Sequence, residues 1–224
     1  MTEASILLSV FTRVPVAGQV KTRLIPSLGV EGATNLYLAM LKKTLESARA
    51  SNANKVSLCC TPTDEHASII NLASEHAMET QLQTGRDLGE KMCNAINSGL
   101  ESHEAVIILG CDCPSVKIED INCAVKKLES GYDAVLGPAL DGGYYLIGLR
   151  KPHDDLFQNI SWGTNTVLQA TRSRLLEAGY SWHELPCYSD IDDKDDLVEL
   201  EKHRDLLHLA QRDEPDSTEI QTTA

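Results

Sequence analysis

Arg13, Lys21 and Arg23 put three cations into one short segment, Arg13-Val14-Pro15-Val16-Ala17-Gly18-Gln19-Val20-Lys21-Thr22-Arg23-Leu24, which contains Pro15 and Gly18 and follows a brief apolar run. Backbone amides beside fixed positive charges suit a phosphate chain, which gains from the N–H dipoles and the cations together. The segment therefore reads as an anion site, with a solvated basic loop as its structural alternative. It is not a P-loop: Lys21-Thr22 follows Val20 rather than Gly, and no Gly lies six residues before Lys21.

Carboxylates supply the second half of the chemistry. Asp112, in Gly110-Cys111-Asp112-Cys113-Pro114, stands where the apolar run Ala105–Gly110 ends. In open α/β sheets ligands gather outside the carboxyl ends of the strands, so an Asp there belongs to a site rather than to the core. Its hard oxygens suit Mg²⁺ or Mn²⁺, with a further carboxylate and substrate phosphates completing the shell; capping of the next turn is the alternative. In Tyr188-Ser189-Asp190-Ile191-Asp192-Asp193-Lys194-Asp195-Asp196 the further carboxylate is Asp190 or Asp192, while Asp193, Asp195 and Asp196 read as helix-start residues. Pro138-Ala139-Leu140-Asp141-Gly142-Gly143-Tyr144-Tyr145 sets a carboxylate beside paired glycines that permit close backbone approach, or a plain hairpin turn.

Two further segments carry less. Gln83-Thr84-Gly85-Arg86-Asp87-Leu88-Gly89-Glu90-Lys91-Met92 could present amides to a nucleobase or be an ordinary loop and cap. Trp162, in Ser161-Trp162-Gly163-Thr164, could floor a sugar ring or plug the core. The seven histidines are spread without a partnering pattern.

These residues need a scaffold, and the hydrophobic periodicity describes one. Strands are expected at Ile6–Phe11, Val56–Cys60, Thr80–Gln83, Ala105–Cys111, Ala134–Gly137 and Tyr144–Leu149. Ala33, Leu36, Tyr37, Met40, Leu41, Leu45 and Ala48 recur at helical spacing from Glu31 onward. More helices are expected at Glu65–His76, Leu88–Leu100, Ile118–Leu128, Thr166–Ala178 and Lys194–Leu209. Ala105–Cys111 is nearly all apolar, as a strand covered on both faces must be. Alternating strands and helices imply an open α/β sheet with helices on both sides.

Composition removes several classes of function. The 224 residues carry a formal charge of −13, which argues against a sequence-independent hold on nucleic acid. No apolar run approaches the roughly 20 residues of a membrane span, and the opening Met-Thr-Glu-Ala lacks the basic start of a secretory signal. A cytoplasmic protein is expected. Seven cysteines without a Cys-x-x-Cys pair read as reduced, mostly buried thiols, Cys111 and Cys113 included. One domain over 1–210 and a flexible polar tail over 211–224 complete the expected organisation.

Taken in order, the motifs resemble those of the bacterial nucleotide-diphospho-sugar transferase-like proteins of the glycosyltransferase A superfamily, a group often named after arsenosugar-biosynthesis glycosyltransferases. The resemblance runs from about Ile6 to Leu200 and rests on the Arg13 to Leu24 loop, Gly85-Arg-Asp-Leu-Gly-Glu90, Gly110-Cys-Asp-Cys-Pro114, Gly137-Pro-Ala-Leu-Asp-Gly-Gly-Tyr-Tyr-Leu146, Trp162-Gly-Thr and Asp190-Ile-Asp. It implies a Rossmann-like fold with a mostly parallel central sheet and helices on both faces. It also implies a metal-dependent transfer of a sugar from a nucleotide-diphosphate donor to a small-molecule acceptor, with Mg²⁺ or Mn²⁺ as cofactor. By this resemblance Arg13, Gly18, Lys21, Arg23, Gly85 and Asp87 meet the nucleotide and its diphosphate, and Asp112 holds the metal with Asp192 or Asp190. Asp141, Gly142, Gly143 and Trp162 face the sugar or acceptor, and Asp141 and Lys21 act in catalysis. The chain departs from the related pattern at Asp192-Asp193-Lys194, where Thr and Pro usually follow the first Asp, so Asp190 and Asp192 both stay open. Lys21 and Arg23 would serve a triphosphate equally well, which makes nucleotidyl transfer to a phosphorylated acceptor, with pyrophosphate release, the alternative reaction.

Overall fold

The apolar runs that lack polar alternation become the middle of one seven-stranded sheet in a computed structural model that describes residues 5–210. The tail expected over 211–224 lies outside them. In chain order the strands are β1 (Ile6–Arg13), β2 (Lys55–Thr61), β3 (Glu79–Leu82), β4 (Ala105–Gly110), β5 (Ala134–Pro138), β6 (Tyr144–Leu149) and β7 (Trp182–Glu184), and they lie side by side as β3-β2-β1-β4-β6-β5-β7. β1 is paired in parallel on both sides, with β2 from Leu7↔Lys55 to Arg13↔Thr61 and with β4 from Ile6↔Ala105 to Phe11↔Gly110. β6 runs antiparallel between β4 and β5.

Strand alternation sends successive side chains to opposite faces, and both faces are covered. Ile6, Leu8 and Val10 of β1 enter one apolar cluster with α1 (Ile25–Arg49), α2 (Ala67–Glu75) and α4 (Ile118–Glu129). Leu7 and Phe11 enter another, with α3 (Leu88–Leu100) and α5 (Val167–Glu177). A third cluster joins Leu24, Leu36 and Met40 to Ile191, Leu200 and Leu206, and so clamps α6 (Leu197–Leu200) and α7 (Arg204–Ala210) against α1. The sheet is thus the mostly parallel, doubly covered Rossmann-like sheet expected of nucleotide-diphospho-sugar transferases. Its chain path leaves β1 toward β2 on one side and returns through β4 on the other. A crevice must open outside the carboxyl ends of β1 and β4, where the flanking loops diverge.

The elements depart from the periodic pattern in three places. α1 starts at Ile25, ahead of Glu31, but Gly29 at φ 72 and ψ 170 interrupts it. The single closing helix expected over Lys194–Leu209 is two short ones. Its first residues turn instead, with the Asp196 and Leu197 amides donating to the Asp193 and Lys194 carbonyls, three residues back, at 3.2 and 3.3 Å. β7 has three residues, too few for a period to show.

All seven cysteines are free thiols, with Cys59, Cys60, Cys111 and Cys113 buried and Cys187 exposed. Among the described residues no helix is long and apolar enough to cross a membrane. Gly89, in the first turn of α3, lets that turn approach the Trp162 ring: a Cβ there would stand 2.6 Å from Trp162 Nε1 and 2.7 Å from the Phe157 carbonyl oxygen. Gly89→Ala is accordingly expected to cost about 1–3 kcal/mol, read in urea unfolding, and to shift tryptophan emission. Unchanged stability and emission would contradict this packing.

Candidate active site

A cleft of about 710 Å³ opens at the expected crevice. Arg13, Lys21, Arg23, Asp87, Asp112, Asp141, Gly143, Trp162, Asp190 and Asp192 all line it. Gly18, Gly85 and Gly142 do not line it, although their chain neighbours Gln19, Arg86, Asp141 and Gly143 do, and each of the three stands at positive φ. Gly142 is the strictest of these, since a Cβ at its φ of +88 would lie 2.3 Å from the Asn165 carbonyl oxygen.

Lys21 is the centre of the arrangement. Its backbone is left-handed, at φ 46 and ψ 42, and its side chain is only 4% exposed. The ammonium contacts Asp112 Oδ1 and stands 2.6 Å from Asp192 Oδ1. Burial works to lower the Lys21 pKa, but the two carboxylates outweigh it and hold the group above the usual lysine value. Around it, among the described residues, the N–H groups of Gly18, Val20 and Lys21 donate to no protein acceptor. These amides and the ammonium are the kinds of donor that an anion-binding loop uses.

The backbone turns both late aspartates toward the cleft, and one of them reaches Lys21. The Ile191 N–H donates to the Asp112 carbonyl at 2.9 Å, and the Ile191 side chain is fully buried in the third cluster. With Ile191 pointing inward, Asp190 and Asp192 project to the cleft on either side of it. Asp192 meets Lys21. Asp190 does not, and burial, with the nearby Asp141 and Asp192 charges, pushes its carboxyl up to about 6. Among the described residues Asp112 and Asp192 are the one pair of carboxylates that forms ion pairs with a single cation, and hard oxygens are the donors Mg²⁺ or Mn²⁺ takes. Among the described residues no group of three or more His, Cys, Asp or Glu side chains is placed to hold a metal. Phosphate and water oxygens would have to supply the remaining ligands, as they commonly do for Mg²⁺.

Asp141 accepts the Gly143 N–H on Oδ1 at 2.7 Å, which fixes the carboxylate and leaves Oδ2 for a ligand. Asp87 caps α3 by accepting the Glu90 amide at 2.9 Å. Its neighbour Arg86 bonds the Glu90 carboxylate and holds it down at about 2.

Two buried side chains, Tyr37 and Gln83, support the site in ways the sequence does not show. The Tyr37 hydroxyl lies 2.7 Å from Thr12 Oγ1 and accepts the Arg13 N–H at 2.8 Å, with the Cys111 thiol at 3.6 Å. Burial raises the Tyr37 pKa well above normal and pushes the Cys111 thiol up to about 12, so both stay neutral. The Gln83 amide nitrogen donates to the Thr12 and Cys59 carbonyls at 3.0 and 2.8 Å, tying the ends of β1 and β2 under the cleft.

Comparison with known proteins agrees with this architecture. A family described as "Uncharacterized protein conserved in bacteria (DUF2064)" matches residues 44–164. No curated protein matches by sequence. Among solved structures, a protein of Desulfovibrio desulfuricans G20, provisionally described as a nucleotide-diphospho-sugar transferase, shares 27% identity at a TM-score of 0.79 over 94% of this chain and 100% of its own. The 4-diphosphocytidyl-2C-methyl-D-erythritol synthase of Anaerococcus prevotii DSM 20548 shares the fold at 10% identity and a TM-score of 0.58, over 91% of this chain and 97% of its own. The glucosyl-3-phosphoglycerate synthase of Mycobacterium tuberculosis, solved with Mn²⁺, uridine diphosphate and glucosyl-3-phosphoglycerate, does so at 10% identity and a TM-score of 0.54, over 96% and 82%.

Tyr37→Phe removes the acceptor of the part-buried Arg13 N–H and one partner of Thr12. Its expected cost is about 1–3 kcal/mol, measured by denaturant unfolding, and a loss below the error of that measurement would show that water replaces the hydroxyl.

Proposed function

The chain belongs to the DUF2064 family, and from that premise and the geometry of its cleft we propose that it is a divalent-metal-dependent glycosyltransferase, moving a sugar from a nucleotide-diphosphate donor to a small-molecule acceptor. The observation that carries this reading is the meeting of Lys21, Asp112 and Asp192 on one side of the cleft, with Asp141 lining it too. Seven free thiols suit the reducing cytoplasm as the site of the reaction.

Asp112 and Asp192 would hold Mg²⁺ or Mn²⁺, which when bound neutralises charge on the departing diphosphate. Lys21, Arg23 and Arg13 bring fixed positive charge to the same oxygens, and the free amides of Gly18 and Val20 add donors that need no reorganisation. Gly85 and Asp87 shape the nucleotide side. Trp162, Gly142 and Gly143 form the wall where the sugar and acceptor lie. As the acceptor oxygen bonds to the anomeric carbon, the bond from that carbon to the diphosphate oxygen breaks. The electron pair leaves with the diphosphate, and the acceptor proton passes to the free oxygen of Asp141.

The test is product analysis with Mn²⁺, a panel of nucleotide sugars and a panel of nucleoside triphosphates. Release of a nucleoside diphosphate, slow without acceptor, is expected. Pyrophosphate release from a triphosphate would establish nucleotidyl transfer instead, and no product from either panel would overturn a transferase role. Asp112→Asn should lower turnover on the order of 10²-fold or more. Its melting temperature should stay close to the parent's, because the Asp112 side chain is 46% exposed and Lys21 keeps Asp192. A large loss of stability would make Asp112 an architectural residue.

A further inference from the structure

Lys21 stands where a divalent cation would have to stand. Its ammonium is in direct contact with Asp112 Oδ1 and Asp192 Oδ1 at once. Among the described residues no other cation forms an ion pair with either carboxylate. An ion bound by the same two oxygens at about 2.1 Å cannot share them with an ammonium in contact with both, because sterics and like-charge repulsion both forbid it. We propose that Lys21 is a tethered resident cation that competes with the metal for Asp112 and Asp192, so that the protein takes up Mn²⁺ or Mg²⁺ together with a diphosphate rather than before it.

The inference rests on the metal-dependent reading above and adds an order of binding to it. Lys21 has somewhere to go when a diphosphate arrives. The unpaired amides of Gly18, Val20 and Lys21 itself lie in its own loop, and Arg13 and Arg23 flank it along the cleft. A diphosphate bound there offers the ammonium new anionic partners. The vacated carboxylates are then left facing each other, and a dication bridging them to the phosphate oxygens restores neutrality. Without the diphosphate, displacing Lys21 would strand a charge whose side chain is 4% exposed, a large cost that metal binding alone must overcome. Lys21 thus acts as a positioning residue for the metal: it holds the two carboxylates convergent until metal and phosphate arrive together.

The consequence runs against intuition, since removing a residue that contacts the substrate should tighten the metal. In a titration of the full-length protein with Mn²⁺ alone, followed by the electron paramagnetic resonance signal of free Mn²⁺, Lys21→Met and Lys21→Gln should bind at least tenfold more tightly than the parent. Adding Asp112→Asn to Lys21→Met should abolish the gain. In the parent protein, uridine diphosphate should raise Mn²⁺ uptake beyond what the nucleotide binds by itself, and this arm decides the matter should both Lys21 variants fail to fold. Variants that fold and bind Mn²⁺ no more tightly than the parent would overturn the competition while leaving metal-dependent transfer intact. Absence of Mn²⁺ binding in every protein, with and without nucleotide, would remove the metal and the competition together.

Discussion

A buried ammonium has to find its counter-charge inside the protein, and the way Lys21 does so organises the rest of this molecule. One partner comes from the middle of the chain, just beyond β4, and the other from ahead of the last helices, so the contact closes three distant segments onto a single point. Neither side of the interaction is stable alone. Lys21 without the carboxylates would be a desolvated charge, and the carboxylates without Lys21 would repel one another. A site assembled in this way holds its charges convergent, and in the proposed reaction a diphosphate and a metal would become their partners.

The sheet makes that convergence possible. Parallel pairing of β1 with both β2 and β4 sets the carboxyl ends of adjacent strands side by side, and the reversal of chain path at β1 spreads the loops that follow them. Packing then does what strand order cannot. The third apolar cluster draws Ile191 inward against α1, and the hydrogen bond from Ile191 to the Asp112 carbonyl fixes the register of the acidic segment. Since side chains alternate, one buried isoleucine turns both Asp190 and Asp192 to the cleft, where Asp192 pairs with Lys21. Beneath the cleft, Tyr37 and Gln83 satisfy main-chain groups at the strand ends, which keeps the floor rigid under ligands that gain affinity from preorganisation.

Much of this was legible before any coordinates. The helix Leu88–Leu100 and the strand Tyr144–Leu149 follow from hydrophobic period and flanking turn residues to the residue. The loop cations, Asp112 and the glycine pair declare themselves through residue type and position in the α/β alternation. The rest depends on contacts between segments far apart in sequence. Nothing local separates Asp190 from Asp192, because only the meeting with Lys21, 171 positions away in sequence, tells them apart. Tyr37 reads as one more apolar position on α1 until its hydroxyl meets Arg13, and Gln83 reads as the end of a short strand until its amide bridges two neighbours. The expected closing helix is two short ones, α6 and α7, both packed by the third cluster against α1, a contact that periodicity does not show.

The account turns on one cleft binding a nucleotide diphosphate and a divalent cation as a unit. The most direct measurement is a thermal-shift screen of the full-length protein against nucleoside diphosphates and nucleotide sugars, with and without Mn²⁺. Stabilisation by at least one nucleotide, larger with Mn²⁺ than the separate effects of the two combined, is the predicted result. A melting temperature that no nucleotide moves in either condition would contradict the account.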